Sequence, residues 1–346
     1  MFRVMRERMG AIKASALVAV QRKVTVGMLL LVGMVSLAIP ASASDQSARN
    51  LLDRMSRAVK ELNYQGVLIY GDSRHWETLS ITHGVMDGVE YERLVHLTGQ
   101  PREVIRKGHD VTCIHPGEHV MRVSLQQNPL TDNLGDGFAG PDSGVDAYYQ
   151  LSLASGDRVA GRATQQVVVS PIDQYRYGYR LWLDRQTGLA LRSDLVDHSG
   201  QVLERFQFAE ISIDVPFNAS DFEPQSQGHR VAAHMASHET SAVLNRQGWQ
   251  LGWVPRGFMA TASQVQRDDR ERGGLATLMY SDGLAALTVF VDRAEEASAA
   301  PASHRWGATA AVVSYLKTSK GHYRITVVGE VPLHTARKIA QSVMPQ

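Results

Sequence analysis

The sequence predicts an α+β protein: a large antiparallel β domain followed by a smaller α+β domain. Three observations support this prediction. A three-strand meander occupies residues 175–213, turn-forming residues recur about every ten positions before it, and an amphipathic helix precedes those strands. A chain of 346 residues is also long for a single hydrophobic core, so two domains are expected.

The meander is the clearest element. In residues 175–183 every odd position is aromatic or aliphatic, which is typical of a strand with one buried face because successive side chains point to opposite faces. Gly188 can adopt the positive φ of a hairpin turn, and a second turn at residues 197–200 leads into the third strand. The apolar phase shifts after Phe208, which predicts a β-bulge near Ala209. Another element must pack on the apolar face of this meander to shield it from water.

An amphipathic helix over residues 48–62 is the predicted cover. Its apolar residues recur with the 3.6-residue period of a helix, and Asp45 or Ser47 can cap its N-terminus. Strands follow from residue 66 to about residue 125, separated by Gly, Asp and Pro turns with no helical pattern between them. Such spacing indicates an antiparallel sheet.

The segments after these strands are less regular. Residues 126–144 are rich in Gly, Pro, Asp and Asn and predict a long loop, and residues 145–151 predict a short helix. Periodicity fades again after the meander. The predicted organisation is therefore a signal peptide (1–43), a first domain (44–222), a linker (223–244) and a second domain (245–346).

The second domain has its own α+β pattern. Ser281-Asp282-Gly283 is a hairpin signal between two apolar runs, and residues 317–321 form a second turn. After Pro332, apolar residues at helical spacing predict a final helix with Arg337 and Lys338 on its outer side.

The N-terminus predicts export. Six basic residues precede an apolar run of 16 residues at 24–39, which ends in Ala41-Ser42-Ala43, the small-x-small pattern of a signal-peptidase site. A membrane anchor is the alternative, but a spanning helix usually needs ~20 apolar residues. We therefore expect cleavage near Ala43 and a soluble protein outside the cytoplasm.

Charge argues against nucleic-acid binding. The first 43 residues hold six bases and one acid, so the remainder carries 30 Lys and Arg against 34 Asp and Glu, with no basic stripe. Cys113, the single cysteine, excludes an internal disulfide and is interpreted as a small buried hydrophobe, although an intermolecular bridge stays open.

No motif points to catalysis. Cys113-x-His115-x₃-His119 has ligands for a soft metal, but Pro116 and Gly117 make the spacing a turn. Residues 314–317 match a Ser-x-x-Lys nucleophile pattern but straddle a strand end, where that chemistry does not occur. Without a nucleophile elbow, phosphate loop or dinucleotide fingerprint, we expect a binding protein rather than an enzyme, with no cofactor and no metal.

Several of these segments resemble the MucB/RseB family of periplasmic sigma-E (AlgU-type) factor regulators. The matching segments follow the family order across nearly the whole exported chain: residues 175–184, 187–189, 191–194, 253–258, 281–284 and 327–332. The resemblance implies a first domain like the lipoprotein carriers LolA and LolB, a half-open antiparallel β-barrel with covering helices. It also implies binding to the periplasmic part of a membrane-anchored anti-sigma factor, shielding of that factor from regulated proteolysis, and release by a lipid or lipopolysaccharide-type ligand.

A half-open barrel can leave a cavity for acyl chains. Strand alternation and the helix stripe predict its wall: Met55, Val59, Val67, Ile69, Leu79, Ile81, Tyr179, Leu181 and Leu183. The same residues can instead form a filled core, and a one-residue slip would exchange the faces. A periplasmic lipid or lipoprotein carrier remains the alternative function, although such a carrier needs the first domain only. A homo-oligomer also remains open.

Overall fold

The computed structural model describes residues 41–116, 138, 145–234, 248–266, 275–294 and 300–346. Most of the predicted signal peptide, the strand expected at residues 120–125 and the loop expected at 126–144 therefore lie outside the described residues, apart from Phe138. Residues 44–346 form one compact unit. Within the described ranges, no helix combines the length and apolar character that crossing a membrane requires.

The first domain is a curled, half-open antiparallel sheet of twelve described strands in the order β12-β5-β4-β3-β2-β1-β11-β10-β9-β8-β6, with β7 paired to β8. Sequence neighbours pair over most of this sheet, as short turns between strands require. The strands are β1 (Tyr64–Gly71), β2 (Trp76–Met86), β3 (Val89–His96), β4 (Glu103–Lys107), β5 (Asp110–His115), β6 (Tyr149–Ala154), β7 (Arg158–Val159), β8 (Arg162–Pro171), β9 (Gly178–Asp184), β10 (Ala190–Val196), β11 (Val202–Ile213) and β12 (His229–His234).

The predicted meander is confirmed as β9, β10 and β11. Gly188 lies in the first turn with φ 86°, the left-handed conformation that glycine adopts without steric penalty. In the pairing of β1 with β11, Val67 faces Glu210 and Leu68 faces Phe208, so Ala209 is the extra residue of a bulge. The bulge is where the shift in apolar phase predicted it. The first strand starts at Gly178, three residues later than the alternation indicated.

Helix α1 (Ala41–Glu61) covers the sheet. Its apolar stripe is buried at Ala48, Leu52, Met55 and Val59, and these side chains share one core with β1, β2, β8, β9, β10 and β11. The predicted cap is wrong, because Asp45 and Ser47 both lie inside the helix. A second helix, α2 (Val145–Tyr148), is shorter than predicted because β6 begins at Tyr149 and pairs with β8.

The second domain is confirmed as α+β. Its sheet has the order β14-β15-β16-β19-β18-β17, and a separate pair joins β13 to β20. The elements are β13 (Trp249–Leu251), β14 (Met259–Gln266), β15 (Leu275–Ser281), β16 (Ala286–Arg293), β17 (Ala302–Trp306), β18 (Thr309–Thr318), β19 (Gly321–Gly329), α3 (Leu333–Ser342) and β20 (Val343–Pro345). Helix α3 buries Ala336, Ile339 and Ala340 against this sheet. Both predicted turns join adjacent antiparallel strands.

Part of the segment predicted as a linker is structured. A 3₁₀ turn (Ala219–Phe222) packs the Phe222 ring 5.4 Å from that of Tyr91. Strand β12 then pairs along β5, with His229 opposite His115. The first sheet therefore extends into the segment between the domains, because an extended chain can satisfy the hydrogen bonds of the β5 edge even without an alternating apolar pattern. The domain boundaries themselves stay a prediction.

Candidate functional site: the barrel core and the domain interface

Seven of the nine predicted cavity residues meet in one buried cluster. None is more than 7% exposed: Met55, Val59, Leu79, Ile81, Tyr179, Leu181 and Leu183. They lie between α1 and the inner face of the sheet. These residues could line the wall of a lipid cavity, and they could equally form a filled hydrophobic core. Their contact with a lipid therefore stays a prediction.

Val67 and Ile69 do not join this cluster. On β1 the inner face carries Tyr64 and Leu68, and the Ile69 side chain is 38% exposed on the outer face. The alternation assigned to this strand was wrong by one residue. Positions 67–70 are apolar without a break, so the pattern alone could not tell the faces apart.

The second domain contributes to the core of the first. Leu284, after the β15 turn, and Ala308, between β17 and β18, belong to the same buried cluster as Met55 and Leu181. Leu284 is 4% exposed and Ala308 is fully buried. Because protein interiors are close-packed, a change in the volume of the barrel core acts on the second domain through these two side chains.

An ion pair lies at the centre of the interface. The side chains of Arg176 and Asp282 are both 0% exposed, and Nη1 of the arginine is 2.6 Å from Oδ2 of the aspartate. Arg176 also pairs with Asp173 at 3.0 Å and donates to the Arg256 carbonyl at 2.5 Å. Burying a guanidinium is unfavourable unless its donors are paired, and these three acceptors come from both domains. Arg176 is an even position of the 175–183 alternation, opposite the face predicted to be buried, yet its side chain is fully buried.

Aromatic rings surround the guanidinium of Arg176. Its carbon lies 5.0 Å from the Tyr148 ring centre, 5.5 Å from Tyr149 and 5.3 Å from Phe258, within the range of cation–π attraction. Tyr149 donates its hydroxyl to Oδ2 of Asp282 at 3.1 Å. Burial raises the pKa of Tyr149 well above its usual value, so this hydroxyl remains a donor at physiological pH.

Tyr179 links the barrel core directly to the second domain. Its ring belongs to the core cluster and its hydroxyl donates to the Leu284 carbonyl at 3.3 Å. Burial raises the pKa of this hydroxyl as well. The ring of Tyr179 is therefore part of the predicted cavity wall, and its hydroxyl bonds to the second domain.

A glycine permits a close approach between the domains. Gly257 has φ 91°, and a Cβ added there would lie 2.4 Å from the Tyr148 ring. Both the backbone conformation and the ring exclude a side chain.

A separate contact lies at the other side of the interface. Glu204 on β11 accepts a hydrogen bond from the Ala308 amide at 2.8 Å and another from the Tyr70 hydroxyl at 3.0 Å. A Cβ on Gly307 would lie 2.4 Å from the Glu204 carboxylate. This carboxylate therefore reaches across the domain boundary to cap the turn between β17 and β18.

Sequence reasoning missed Arg176, Tyr149 and Asp282 as interface residues. A usable signal was present, since the segments at 175–184, 253–258 and 281–284 were all among those that carried the family resemblance. The Cys113 thiol is 2% exposed, as expected of a buried hydrophobe, and burial raises its pKa. The described residues contain no group of three His, Cys, Asp or Glu side chains placed to hold a metal ion.

Comparison with known proteins identifies the family. The family model for the MucB/RseB N-terminal domain matches residues 47–226, and that for the MucB/RseB C-terminal domain matches residues 243–344. The chain belongs to the MucB/RseB family. It is 34% identical to the sigma factor AlgU regulatory protein MucB of Pseudomonas aeruginosa over 93% of this chain and 98% of that protein. It is 26% identical to the sigma-E factor regulatory protein RseB of Escherichia coli K12 over 91% and 96%.

Solved structures of MucB share this fold. The MucA/MucB complex of P. aeruginosa matches with a TM-score of 0.73 at 33% identity, over 87% of this chain and 99% of that one. MucB in complex with MucA(peri) matches with a TM-score of 0.70 at 31% identity, over 86% and 99%. A further crystal structure of MucB matches with a TM-score of 0.62 at 31% identity, over 87% and 98%. The interface residues described above therefore belong to a two-domain fold that the MucB/RseB family shares.

Proposed function

We propose that this protein is a periplasmic negative regulator of an envelope-stress sigma factor. It binds the periplasmic part of a membrane-anchored anti-sigma factor and protects it from regulated proteolysis, and a lipid-type ligand triggers release. Membership of the MucB/RseB family and the solved complexes of MucB with MucA support partner binding. The predicted signal peptide supports the periplasmic location.

The observation that carries the lipid-release step is the position of Tyr179 and Tyr149. Both rings belong to the barrel core, and both hydroxyls hold groups of the second domain. An acyl chain entering the core would have to displace core side chains, because close-packed interiors have little spare volume. Displacing either ring would weaken the interface. The ligand would thus favour one domain arrangement while the anti-sigma segment favours another.

A coupling of ~1–3 kcal/mol between the two binding events is typical of allosteric proteins and would be enough for regulation.

The test is a pair of tyrosine substitutions. Tyr179→Phe removes the bond to the Leu284 carbonyl across the domain boundary, whereas Tyr64→Phe removes a buried hydroxyl that bonds within the first domain, to the Val59 carbonyl at 3.4 Å. Affinity for the anti-sigma periplasmic segment is measured with and without lipopolysaccharide. We expect Tyr179→Phe to change the ratio of the two affinities and Tyr64→Phe to leave it near that of the parent. Equal ratios for parent and Tyr179→Phe would refute the coupling.

A lipid or lipoprotein carrier is the second candidate. The burial of Leu284 and Ala308 in the first domain's core disfavours it, since a carrier needs no second domain built into its interior. Binding of lipid with no effect on partner affinity would favour the carrier.

A further inference from the structure

A pocket of about 580 Å³ opens between the two domains, outside the barrel core. The first domain contributes Arg74 in the turn between β1 and β2, Glu77 at the start of β2, and Glu204 of β11. The second domain contributes the turn between β17 and β18, with Trp306 and Thr309. Pockets of this volume are typical of small-molecule and side-chain binding sites, and domain boundaries are a preferred place for them.

On the first domain's side of the pocket, Arg74 pairs with Asp72 at 3.8 Å. Glu77 lies 3.5 Å from His75 and 3.3 Å from His96, and burial lowers the pKa of His96, so His96 does not neutralise Glu77 at pH 7. Glu204 is a further carboxylate. Its described partners are neutral donors, the Ala308 amide and the Tyr70 hydroxyl. Among the described residues, no Lys or Arg forms an ion pair with it.

A second carboxylate adds to this negative charge. Glu330, at the end of β19 in the second domain, is close enough to Glu204 that burial and the charge of Glu204 raise its pKa to about 7. Among the ionisable groups that interact with this region, Tyr70, Glu77, Tyr179 and Asp282 offer no positive charge. Arg305 on β17 is a cation nearby, since it acts on Tyr177, which the charge of Glu204 also reaches. Each domain thus contributes a carboxylate to this boundary, and that of Glu204 lines the pocket.

Aromatic surface completes the pocket. The Trp306 side chain is 55% exposed, although it is one of the largest apolar groups of the domain, and Tyr70 lines the same pocket. Indole and phenol faces attract cations, and guanidinium and ammonium groups carry apolar stems that pack on them.

We infer that this interdomain pocket binds a cationic organic group, the guanidinium or ammonium of a basic peptide side chain, on Glu204 and Trp306. The cation would relieve the repulsion between Glu204 and Glu330, which come from different domains. A bound cation would therefore also favour the docked arrangement of the two domains. The inference concerns a site separate from the predicted lipid cavity, and it does not require the proposed regulatory function.

The first test compares two neutral-capped tripeptides, Gly-Arg-Gly and Gly-citrulline-Gly, which differ in charge but hardly in shape. Binding to the full protein is followed by NMR or calorimetry. We expect the arginine peptide to bind about tenfold or more tightly than the citrulline peptide, since hydrogen bonds to charged groups are the stronger ones. Raising the salt concentration should weaken the difference. Equal binding of the two, or no arginine-peptide binding up to about 10 mM, overturns the inference.

Variants locate the site. Glu204→Gln keeps an acceptor for the Ala308 amide and removes the charge, and Glu210→Gln removes an exposed charge from the same strand as a matched control. Trp306→Ala removes an exposed ring without touching that interdomain bond. We expect Glu204→Gln and Trp306→Ala to weaken arginine-peptide binding about fivefold or more, and Glu210→Gln to have no effect. Parent-like affinity in both Glu204→Gln and Trp306→Ala places the peptide elsewhere and overturns the inference.

The pH dependence provides a second readout. A bound cation stabilises the ionised form of Glu330, so binding releases a proton near the pKa of about 7. His75 lines the pocket and the His304 ring lies 4.2 Å from that of Trp306, so the informative quantity is the difference between the parent and Glu330→Gln. Affinity for the arginine peptide should rise more steeply from about pH 6 to about pH 8 in the parent than in Glu330→Gln. The same rise in affinity in both proteins would show that Glu330 does not face the bound cation, and it would contradict the proposed site.

Discussion

Arg176 and Asp282 lie 106 positions apart in the chain, yet their side chains meet at 2.6 Å with no exposure to solvent. One belongs to the segment that leads into the barrel meander, and the other to the turn between β15 and β16. A buried ion pair is sensitive to the loss of either partner, because the remaining charge is left without compensation. The pair therefore holds the two domains in one specific arrangement.

This arrangement makes Asp282→Ala strongly destabilising. Removing the aspartate leaves the Arg176 guanidinium buried with Asp173 as its remaining anion, and we expect a loss of ~3–5 kcal/mol in the free energy of unfolding. The control is Asp292→Ala, which breaks a more exposed pair with Arg324 and should change stability by ~0–1 kcal/mol. Urea unfolding of both variants measures the two changes in stability. Equal losses of unfolding free energy would contradict a central role for the buried pair.

The predicted lipid wall can be tested with matched tryptophans. Ile81 is fully buried in the core cluster, and Ile69 lies 38% exposed on the outer face of the neighbouring strand. Ile81→Trp should reduce lipid binding and lower the unfolding free energy by ~1–3 kcal/mol through overpacking. Ile69→Trp should leave both close to the parent. A vesicle or lipopolysaccharide binding assay measures the first effect. If folded Ile81→Trp binds lipid like the parent, the wall has been placed wrongly.

Two glycines separate backbone strain from steric contact. Gly257 and Gly248 both have positive φ, 91° and 71°, but only at Gly257 would a Cβ meet another residue, the Tyr148 ring. Alanine at Gly248 should cost about 1 kcal/mol, and alanine at Gly257 clearly more, because Tyr148 packs on Arg176 and must move. Thermal unfolding of the two variants gives the comparison. Equal shifts in Tm would mean that the interface adapts to the new methyl group.

Glu330 predicts a specific pH dependence of stability. Its carboxyl has a pKa of about 7 in the folded protein against an ordinary 4.5, so between these values the folded state binds more protons than the unfolded state. Stability contributed by this group is therefore complete below about pH 4.5 and is lost as the pH rises toward 7. Asp184 and Asp194 act oppositely because paired arginines lower their pKa. The informative quantity is the difference between parent and Glu330→Gln, which should grow in favour of Gln as the pH rises.

Export is tested by N-terminal sequencing. Cleavage after Ala43 should give periplasmic protein that begins at Ser44. Membrane-bound protein that retains the residues before Ala43 would show that the apolar run is an anchor.

A truncated chain ending near Ser226 is a natural way to ask whether partner binding needs the second domain. Such a truncation would remove β12 from the edge of the first sheet, and it would uncover the core surface that Leu284 and Ala308 bury. Loss of function in that fragment would therefore mix misfolding with loss of the partner surface. Point substitutions at the interface, such as Tyr179→Phe, keep both domains present and are the sharper experiment.

The sequence by itself determined the local elements and the family. The meander, the bulge at Ala209, the stripe of α1 and the hairpins of the second domain depend on periodicity and turn residues within a few positions of one another. Most residues of the barrel core could also be predicted, because strict alternation in β2 and β9 identifies the buried face. These features can be predicted without knowing which distant residues are in contact in the folded protein.

Only the tertiary structure decided which residues are buried where the local sequence pattern was ambiguous or misleading. The unbroken apolar run of β1 cannot show which face is inside, and pairing with β2 and β11 placed Ile69 outside. Arg176 lies opposite the face that alternation predicts to be buried, but Asp282 and three aromatic rings from distant segments bury it. Burial of a charge depends on partners supplied by the rest of the chain, and side-chain alternation within one strand carries no information about them.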